Sequence, residues 1–289
     1  MRIMNELVRN INWMEKNKDL NAWLEQDISH NITPLDSGLE ADVFLISTPE
    51  SQFVLKLWNR DAKPDISIQF KLLEGMYDRQ IAVSKPFGWG FDEKHNQVLL
   101  TSFDGAPIHK LNTTKLTAFA NMLTEIHDVS LQTLENVTVP KYDFINYFFP
   151  KVDGHVDIKQ LLIQLVASSN MEQNRLIHGD YNLGNILESD GRYTIIDWTN
   201  IQWGDPRYDI AWSIITIWIY ASERHSSTYR SVFVSKNNYS EDELEIFEAM
   251  ACLRWILLNR TAKLPKRHNT LSTIRTILIK NKYLNEKLL

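Results

Sequence analysis

The amino-acid sequence predicts an α+β fold in two lobes, a small N-terminal sheet lobe with one packing helix and a larger, mainly helical C-terminal lobe. Short apolar segments typical of strands are concentrated in the first third of the chain, and helical spacing of apolar residues dominates afterwards. A turn-rich segment, Asp104-Gly105-Ala106-Pro107, separates the two patterns. The predicted domains are therefore residues 1–100 and 101–289.

The N-terminal lobe is predicted to begin with a helix over Met1–Gln26, where helix-forming residues alternate with spaced apolar positions. A second helix is predicted over Ile66–Arg79, whose apolar residues fall on one face. Strands are predicted over Val43–Ile46, Gln52–Trp58, Val83–Gly90 and Asn96–Phe103. The first two of these strands are separated by a short Pro-Glu-Ser segment and should form a hairpin.

The C-terminal lobe is predicted to contain helices over Thr113–Asp128, Ile158–Ser169, Ile210–Ser222, Glu241–Asn259 and Leu271–Leu288. Between the second and third of them lies an island of strands and loops, Leu176–Tyr208. The longest apolar run, Ile210–Tyr220, is too short to cross a bilayer and predicts a buried helix. Trp212 and Trp218 lie in this helix and are predicted to be core residues.

The composition is that of a soluble globular protein, with 44% hydrophobic and 23% charged residues among 289. The single cysteine, Cys252, excludes an internal disulfide, and Met1–Lys16 lacks the apolar core of a signal peptide. We therefore expect a cytoplasmic protein that does not enter a membrane. The net charge of −5 argues against nucleic-acid binding and is compatible with a cationic substrate.

The island carries the residues with the clearest chemistry. Asp180 and Asn185 lie in a polar loop between two apolar anchors, and Asp197 ends a strand that should pair back across a turn. We expect these two carboxylates and one amide to converge at one point. Oxygen ligands of this kind suit Mg²⁺ together with substrate phosphates. Phosphoryl transfer requires such a metal, tight positioning, and a group that orients the attacking hydroxyl.

The order of these residues resembles a known family. His178-Gly179-Asp180, with Asn185 five residues after the aspartate, is similar to the catalytic loop of the aminoglycoside phosphotransferases, choline kinases and their protein-kinase-like relatives. Ile195-Ile196-Asp197-Trp198 resembles the metal-binding segment of that family. Gly204-Asp205-Pro206 followed by Asp209-Ile210-Ala211 resembles the next segment. The combination is specific, whereas a lone His-x-Asp would be weak. The resemblance implies a two-lobed protein-kinase-like fold.

The resemblance implies a role for each matching residue of the loop. Asp180 would be the catalytic base that orients the substrate hydroxyl, and Asn185 and Asp197 would hold Mg²⁺. Taken singly, Asp180 and Asn185 could be turn formers, but their order with Asp197 favours the functional interpretation.

Further residues of the island are assigned supporting roles. The resemblance implies that His178 braces the loop and that Asp209 hydrogen-bonds the loop backbone. Asp205 precedes a proline at a predicted helix start and should be the N-cap. Trp198 and Trp203 lie near the metal-binding segment and are candidates for contact with the substrate.

The N-terminal lobe is implied to bind the nucleotide. Lys56 lies inside an apolar strand, where a lysine is costly unless it meets an anion, and the family's lysine pairs with nucleotide phosphates. A snorkelling edge lysine is the alternative interpretation. Ser37 and Gly38 lie where the family's phosphate-covering loop lies, and Thr101 and Phe103 belong to a segment that resembles the hinge beside the adenine.

One position departs from the family pattern. The family has a glutamate on the N-lobe helix that pairs with the strand lysine, and the corresponding position here is Gln69. Glu74 is the nearest carboxylate, but five residues along a helix place it on a different face. Whether Gln69 replaces the glutamate as the partner of Lys56 stays open at this stage.

These features predict an ATP- or GTP-dependent small-molecule kinase. It would transfer the nucleotide γ-phosphate to a hydroxyl of an antibiotic-like or amino-alcohol substrate. A protein kinase is disfavoured because Asp197-Trp198-Thr199 replaces Asp-Phe-Gly and no Ala-Pro-Glu segment follows. A non-catalytic scaffold on the same fold, of the spore-coat type, is the other alternative. Gln69 and the glycine-poor loop around Ser37 favour it slightly, and the intact loop residues count against it.

Overall fold

The computed structural model of the protein describes residues 7–25, 30–35, 41–59, 64–130, 137–236, 239–262 and 264–289. The chain divides into two compact units. Unit 1 comprises residues 1–106, 131–138 and 187–199, and unit 2 comprises residues 107–130, 139–186 and 200–289. Unit 1 therefore receives one segment from the second half of the chain.

Unit 1 is built on a six-stranded antiparallel sheet in the order β1-β5-β6-β4-β3-β2. Its strands are β1 (Asn12–Lys16), β2 (Asn31–Pro34), β3 (Asp42–Ser47), β4 (Gln52–Trp58), β5 (Pro86–Phe91) and β6 (Gln97–Ser102). The predicted hairpin is present as β3 and β4, in which Val43 pairs with Lys56. Ile46, Leu55 and Leu100 are fully buried in the core of this sheet.

The helix α2 (Ile66–Asp78) packs against the sheet and begins where the sequence predicts. The carboxylate of Asp65 accepts hydrogen bonds from the backbone N–H groups of Ser67 and Ile68, which caps the first turn. Leu72 and Met76 lie four residues apart on its buried face. The same face carries Gln69, a polar residue that is only 4% exposed.

The predicted leading helix is wrong for the residues that the structure describes in this segment. Residues 12–16 form the edge strand β1, and only α1 (Lys18–Glu25) is helical. The strand forms because β5 offers it a glycine-lined edge: a Cβ atom on Gly90 would lie 2.3 Å from the Asn12 carbonyl oxygen. Pairing with β5 therefore outweighs the helical propensity of the segment. Residues 1–6 and Gln26 lie outside the described residues.

A small hairpin completes unit 1 and carries the chain to Asp197. It consists of β9 (Ile186–Ser189) and β10 (Arg192–Ile195), and β7 (Ala106–Pro107) extends the same small sheet. Ile195 forms a parallel bridge with Val83, and its N–H donates to the Ala82 carbonyl oxygen at 2.7 Å. The strand predicted before Asp197 is therefore present and fixed within unit 1.

Unit 2 is mainly helical. Its helices are α3 (Thr113–His127), α4 (Phe144–Phe148), α5 (Val156–Ser168), α6 (Pro206–Tyr220), α7 (Glu223–Lys236), α8 (Glu241–Thr261) and α9 (Thr270–Lys280). A two-stranded antiparallel ladder of β8 (Arg175–Ile177) and β11 (Gln202–Gly204) lies among them. The five predicted helices are present, although the last ends at Lys280, and α4 and α7 were not predicted.

The core of unit 2 forms around α6 and α8, which are buried over most of their circumference. A capping box at Ser240 and Glu243 fixes the start of α8. Among the described residues, no helix combines the length and the apolar character needed to cross a membrane. The α+β fold class is confirmed.

Candidate active site

In unit 2, the loop that follows β8 is shaped by Gly179. Its φ of +78° lies in the left-handed region, and a Cβ atom there would lie 2.6 Å from the Asn200 carbonyl oxygen. Any side chain at this position would force the loop apart. His178 is fully buried and accepts a hydrogen bond on Nδ1 from the Asp180 N–H at 3.2 Å. Glycine and histidine together determine the direction in which the chain enters Asp180.

The carboxylate of Asp209 holds this loop from α6. Its Oδ2 accepts the His178 N–H at 2.8 Å, and its Oδ1 accepts the Gly179 N–H at 2.9 Å. The His127 ring nitrogen Nε2 lies 3.3 Å from Oδ2. Burial opposes ionisation of Asp209, but the hydrogen bond and charge of His127 outweigh it, so the pKa of Asp209 lies below its ordinary value. A buried carboxylate therefore fixes two successive backbone amides.

Asp180 and Asn185 lie in contact. The Asn185 side-chain amide nitrogen Nδ2 donates to the Asp180 carbonyl oxygen at 2.9 Å and approaches Asp180 Oδ2 at 3.3 Å. The contact is possible because Leu183–Asn185 form a short 3₁₀ turn, which Asn182 caps by accepting the Gly184 N–H at 2.9 Å. The structure thus brings the predicted base and one predicted metal ligand together.

Asp205 occupies the N-cap of α6, as its position before Pro206 predicts. Its Oδ1 accepts the Arg207 N–H at 2.9 Å, and its Oδ2 accepts the Glu172 N–H at 2.8 Å. The Arg207 guanidinium adds further hydrogen bonds, at 3.0 Å to Oδ1 and 2.7 Å to Oδ2. Asp205 is 3% exposed, so its carboxylate serves the fold of unit 2.

In unit 1, Asp197 lies next to Lys56. The Lys56 ammonium donates to Asp197 Oδ1 at 3.0 Å, and the Thr199 hydroxyl donates to the same oxygen at 3.2 Å. The φ of Asp197 is +67°, a costly conformation for a residue with a side chain and one that often marks functional positions. The Asp197 side chain is 40% exposed, so a ligand could still reach it.

The lysine and the carboxylate on α2 do not pair. Glu74 lies on the exposed side of the helix, and partial desolvation of its carboxylate together with the charges of Asp78 and Glu15 raises its pKa. Gln69 points inward, and its side-chain oxygen Oε1 has no hydrogen-bond partner among the described residues. The partner that the structure gives Lys56 is therefore Asp197, and Gln69 does not take the place of a pairing glutamate.

The tryptophan and hinge predictions have different outcomes. Trp198 is 2% exposed and donates its indole N–H to the Ile195 carbonyl oxygen at 3.0 Å, so it is buried and its prediction as a substrate contact is wrong. Trp203 is half-buried in β11 and stays a candidate contact. Phe103 donates its N–H to the Gln52 carbonyl oxygen at 3.2 Å, and its role beside a nucleotide base stays a prediction.

Three other residues were predicted to bind the nucleotide, one in β6 and two in the predicted phosphate-covering loop. Thr101 lies in β6, opposite Val54 of β4, and its hydroxyl is 3.3 Å from the Ser102 carbonyl oxygen. Ser37 and Gly38, the predicted phosphate-covering residues, lie outside the described residues. Their role in nucleotide binding stays a prediction.

Comparison with known proteins decides the family. The sequence profile described as "Phosphotransferase enzyme family" matches residues 31–231, more than two thirds of the chain. The chain belongs to this phosphotransferase family. No curated protein sequence is significantly similar to it.

Solved structures of this phosphotransferase family and its relatives share the fold. An amicoumacin kinase solved with AMP-PNP, Ca²⁺ and amicoumacin superposes with a TM-score of 0.66 at 15% identity, covering 93% of this chain and 95% of the other. The choline kinase LicA from Streptococcus pneumoniae gives 0.62 at 16% identity, covering 91% and 97%. The aminoglycoside phosphotransferase APH(4)-Ia gives 0.56 at 16% identity, covering 84% and 92%. The predicted protein-kinase-like fold is confirmed.

Each unit of this phosphotransferase offers an oxygen donor of the kind that suits a divalent metal, Asn185 in unit 2 and Asp197 in unit 1. The side-chain amide nitrogen of Asn185 donates to Asp180, and the side-chain oxygen Oδ1 of Asn185 accepts no hydrogen bond from the described residues. Asp197 offers a partly exposed carboxylate. Within the described part of the chain, no group of three or more His, Cys, Asp or Glu side chains could hold a metal. Magnesium usually binds only a few protein ligands, and substrate phosphates complete its coordination.

Several residues near the loop were not predicted from the sequence. The indole N–H of Trp212 reaches Asp180, and Arg254 of α8 donates to the Gly179 carbonyl oxygen at 2.9 Å. Tyr142 and Tyr147 stack with centroids 4.6 Å apart, and the Tyr147 hydroxyl donates to Asn200 Oδ1 at 3.1 Å. None of these residues belongs to the loop motif. Only the fold therefore shows that they lie close to the loop.

A surface cavity in unit 2 lies apart from this loop. It has a volume of about 610 Å³ and is lined by the ends of α5, α6 and α8, including Asn170, Arg207 and Glu243. Asp205 is the one predicted site residue in its wall, and its carboxylate is already engaged by Arg207. The cavity therefore does not coincide with the candidate active site.

Proposed function

We propose that this phosphotransferase transfers the γ-phosphate of ATP or GTP to a hydroxyl group of a small molecule. The observation that carries the proposal is the Asp180–Asn185 contact in a loop that Asp209 holds by two backbone amides. A rigid carboxylate next to a side-chain amide is what phosphoryl transfer needs, because the protein contributes mainly positioning and charge. Membership in the family supports the same reaction.

Each residue has a defined part in the reaction. Asp180 accepts the proton of the acceptor hydroxyl as its oxygen forms a bond to the γ-phosphorus, and the bond to the β-phosphate oxygen breaks to release the nucleoside diphosphate. Lys56 binds donor phosphates. Asn185 and Asp197 would hold Mg²⁺, which neutralises phosphate charge when bound. Because Lys56 and Asp197 pair at 3.0 Å, the ligand that reaches them should carry both a cation and an anion.

The acceptor is proposed to be an antibiotic-like compound or an amino alcohol. Support comes from the similar folds of an amicoumacin kinase, a choline kinase and an aminoglycoside phosphotransferase. The net charge of −5 suits a cationic acceptor and does not suit nucleic acid. Trp203 and Tyr142, which is 43% exposed, offer aromatic surface for such a molecule. The buried free thiol of Cys252 is compatible with a cytoplasmic location.

Thermal unfolding tests the proposal without knowledge of the acceptor. Mg²⁺-ATP or Mg²⁺-GTP should raise the melting temperature, because a ligand at a hundred times its Kd stabilises the folded state by about 2.7 kcal/mol. The rise should require the metal and should be lost in Asp197→Ala. Asp153→Ala is the matched control, because that carboxylate is 84% exposed and binds Lys159 at the surface.

A metal-dependent rise that is lost only in Asp197→Ala would support the proposal and justify a screen of hydroxyl acceptors. No rise with either nucleotide at millimolar concentration would contradict it. That result would favour a non-catalytic protein of the same fold, for which the absence of a carboxylate partner on α2 is the supporting observation.

A further inference from the structure

The Asp180 carboxylate receives a hydrogen bond from a core tryptophan. The indole Nε1–H of Trp212 donates to Asp180 Oδ1 at 2.7 Å, the short end of the range for an N–H donor. Trp212 lies on α6 and is 6% exposed. The other carboxylate oxygen, Oδ2, faces the Asn185 amide at 3.3 Å. The two oxygens of Asp180 are thus distinguished by different donors.

A buried arginine supports this tryptophan. The Arg254 guanidinium carbon lies 4.2 Å from the centroid of the Trp212 ring and 4.8 Å from that of the Phe148 ring. Its Nη1 donates to the Gly179 carbonyl oxygen at 2.9 Å, one residue before Asp180. Arg254 is 8% exposed. One side chain of α8 therefore contacts both the donor ring and the backbone that leads into Asp180.

A packing role alone does not account for Arg254. Burial of a guanidinium carries a large desolvation penalty, and a methionine of similar volume would fill the core without it. The planar guanidinium, in contrast, can face an aromatic ring and donate to a carbonyl at the same time. The chemistry of this side chain matches its contacts with the Trp212 ring and the Gly179 carbonyl oxygen, and both of these lead to Asp180.

We propose that Trp212 and Arg254 are positioning residues that fix the orientation of the Asp180 carboxylate toward the acceptor hydroxyl. The inference rests on the proposed function of Asp180. Trp212 holds Oδ1 by a charge-assisted hydrogen bond, which restricts rotation of the carboxylate. Arg254 holds the indole ring and the Gly179 carbonyl in place. Trp212 is 6% exposed and Arg254 is 8% exposed, so replacing them should affect turnover more than binding.

The contact itself can be tested without any activity. In ¹⁵N-labelled protein, the indole N–H resonance of Trp212 is identified by its absence from Trp212→Phe. It should move upfield in Asp180→Ala, which removes the acceptor, and it should shift in Arg254→Met. A resonance that does not move in Asp180→Ala would overturn the inference, whatever the activity of the protein.

The kinetic test uses Trp212→Phe, which keeps an aromatic ring next to Arg254 and removes the donor. We expect kcat to fall about 10- to 100-fold, the equivalent of one charge-assisted hydrogen bond. The KM values and the thermal shift with Mg²⁺-nucleotide should not change. Trp218→Phe, on the same helix, is the matched control, because its ring contacts Lys280 instead. An unchanged kcat in Trp212→Phe would overturn the positioning role.

Two further comparisons separate positioning from general damage to the fold. Arg254→Lys should retain more of the rate than Arg254→Met, because it can still donate to Gly179. In an Asp180→Ala background, Trp212→Phe should have no additional effect on the residual rate, since its effect passes through Asp180. Additive losses in that double variant would contradict the inference. Absence of turnover in the wild-type protein would instead overturn the proposed function, and with it the kinetic role.

Discussion

Replacement of Asp209 by asparagine should destabilise the protein strongly, although the two side chains have nearly the same shape. Asp209 is fully buried, and its two carboxylate oxygens accept the His178 and Gly179 amides at 2.8 Å and 2.9 Å. An asparagine offers one acceptor oxygen and one NH₂ group, which is a donor. One of the two backbone amides would therefore face another donor in a site without solvent.

The expected loss follows from these contacts. A buried donor left without an acceptor costs about 1–3 kcal/mol, and the remaining bond loses the charge that strengthens it. We expect Asp209→Asn to lower the free energy of unfolding by about 3 kcal/mol. For a protein of this size, that corresponds to a decrease in Tm of about 6–12 °C. Urea unfolding followed by tryptophan fluorescence gives the free energy, and calorimetry gives the Tm.

The pH dependence gives the prediction a second component. The pKa of Asp209 lies below its ordinary value of about 3.9, so its contribution is complete above that value and is lost as pH falls through the lower, folded-state pKa. Asparagine does not titrate. The stability difference between wild type and Asp209→Asn should therefore narrow as pH falls below about 4.

Asp153→Asn is the matched control for Asp209→Asn. Asp153→Asn makes the same chemical change at a side chain that is 84% exposed, and it should cost less than about 1 kcal/mol. If Asp209→Asn also cost less than about 1 kcal/mol, the loop would not depend on its carboxylate. The account of how Asp180 is positioned would then be wrong.

Three further variants test single features of the two units. Gly179→Ala should lower the free energy of unfolding, measured with urea, by more than about 2 kcal/mol, because the φ of Gly179 is +78° and the new Cβ would lie 2.6 Å from the Asn200 carbonyl oxygen. Gly154→Ala is the control: its Cβ meets no atom within 4 Å, and the change should be nearly neutral. Lys56→Met should raise the Kd of Mg²⁺-ATP by 10-fold or more, roughly, in calorimetric titration, with little change in the Tm of the free protein, because its ion pair is partly exposed. Ser240→Ala should lower the free energy of unfolding by about 1 kcal/mol through loss of the capping box, and an unchanged value would mean that the cap is not formed in solution.

The loop residues were predictable because their chemistry is local in sequence. His178, Asp180 and Asn185 lie within eight residues of one another, and the backbone of that short segment largely determines their contacts. The role of Asp209, 30 residues after Gly179, was implied only by the resemblance to the family. The order and residue types of the segment, together with the family resemblance, were sufficient for this part of the site.

Long-range contacts were not predictable from the sequence. Trp212 was expected to be a core residue, and it is buried, but the sequence does not reveal that its N–H meets Asp180 across 32 positions. Arg254 lies in the middle of a buried helix, where an arginine would be expected only at an exposed or paired position. Trp198 failed as a substrate contact for a related reason, since proximity in sequence to Asp197 does not determine which way an indole points.

Two local structures were missed because propensity and context disagree. The segment of β1 has helix-forming residues, but the glycines of β5 allow it to pair as an edge strand. The helix α7 is rich in Ser, Thr and His, which are weak helix formers. The signal that could have revealed it is the pair Tyr229 and Phe233, four residues apart and both fully buried.

The most direct test of the proposed function measures the release of nucleoside diphosphate from Mg²⁺-ATP and Mg²⁺-GTP. The assay contains a panel of hydroxyl-bearing antibiotics and amino alcohols, and it compares the wild type with Asp180→Ala. We predict acceptor-dependent release in the wild type with at least one nucleotide, and a loss of at least 1,000-fold, roughly, in Asp180→Ala with nucleotide binding retained. Equal release by the wild type and Asp180→Ala would contradict the assignment of Asp180 as the base on which the account depends.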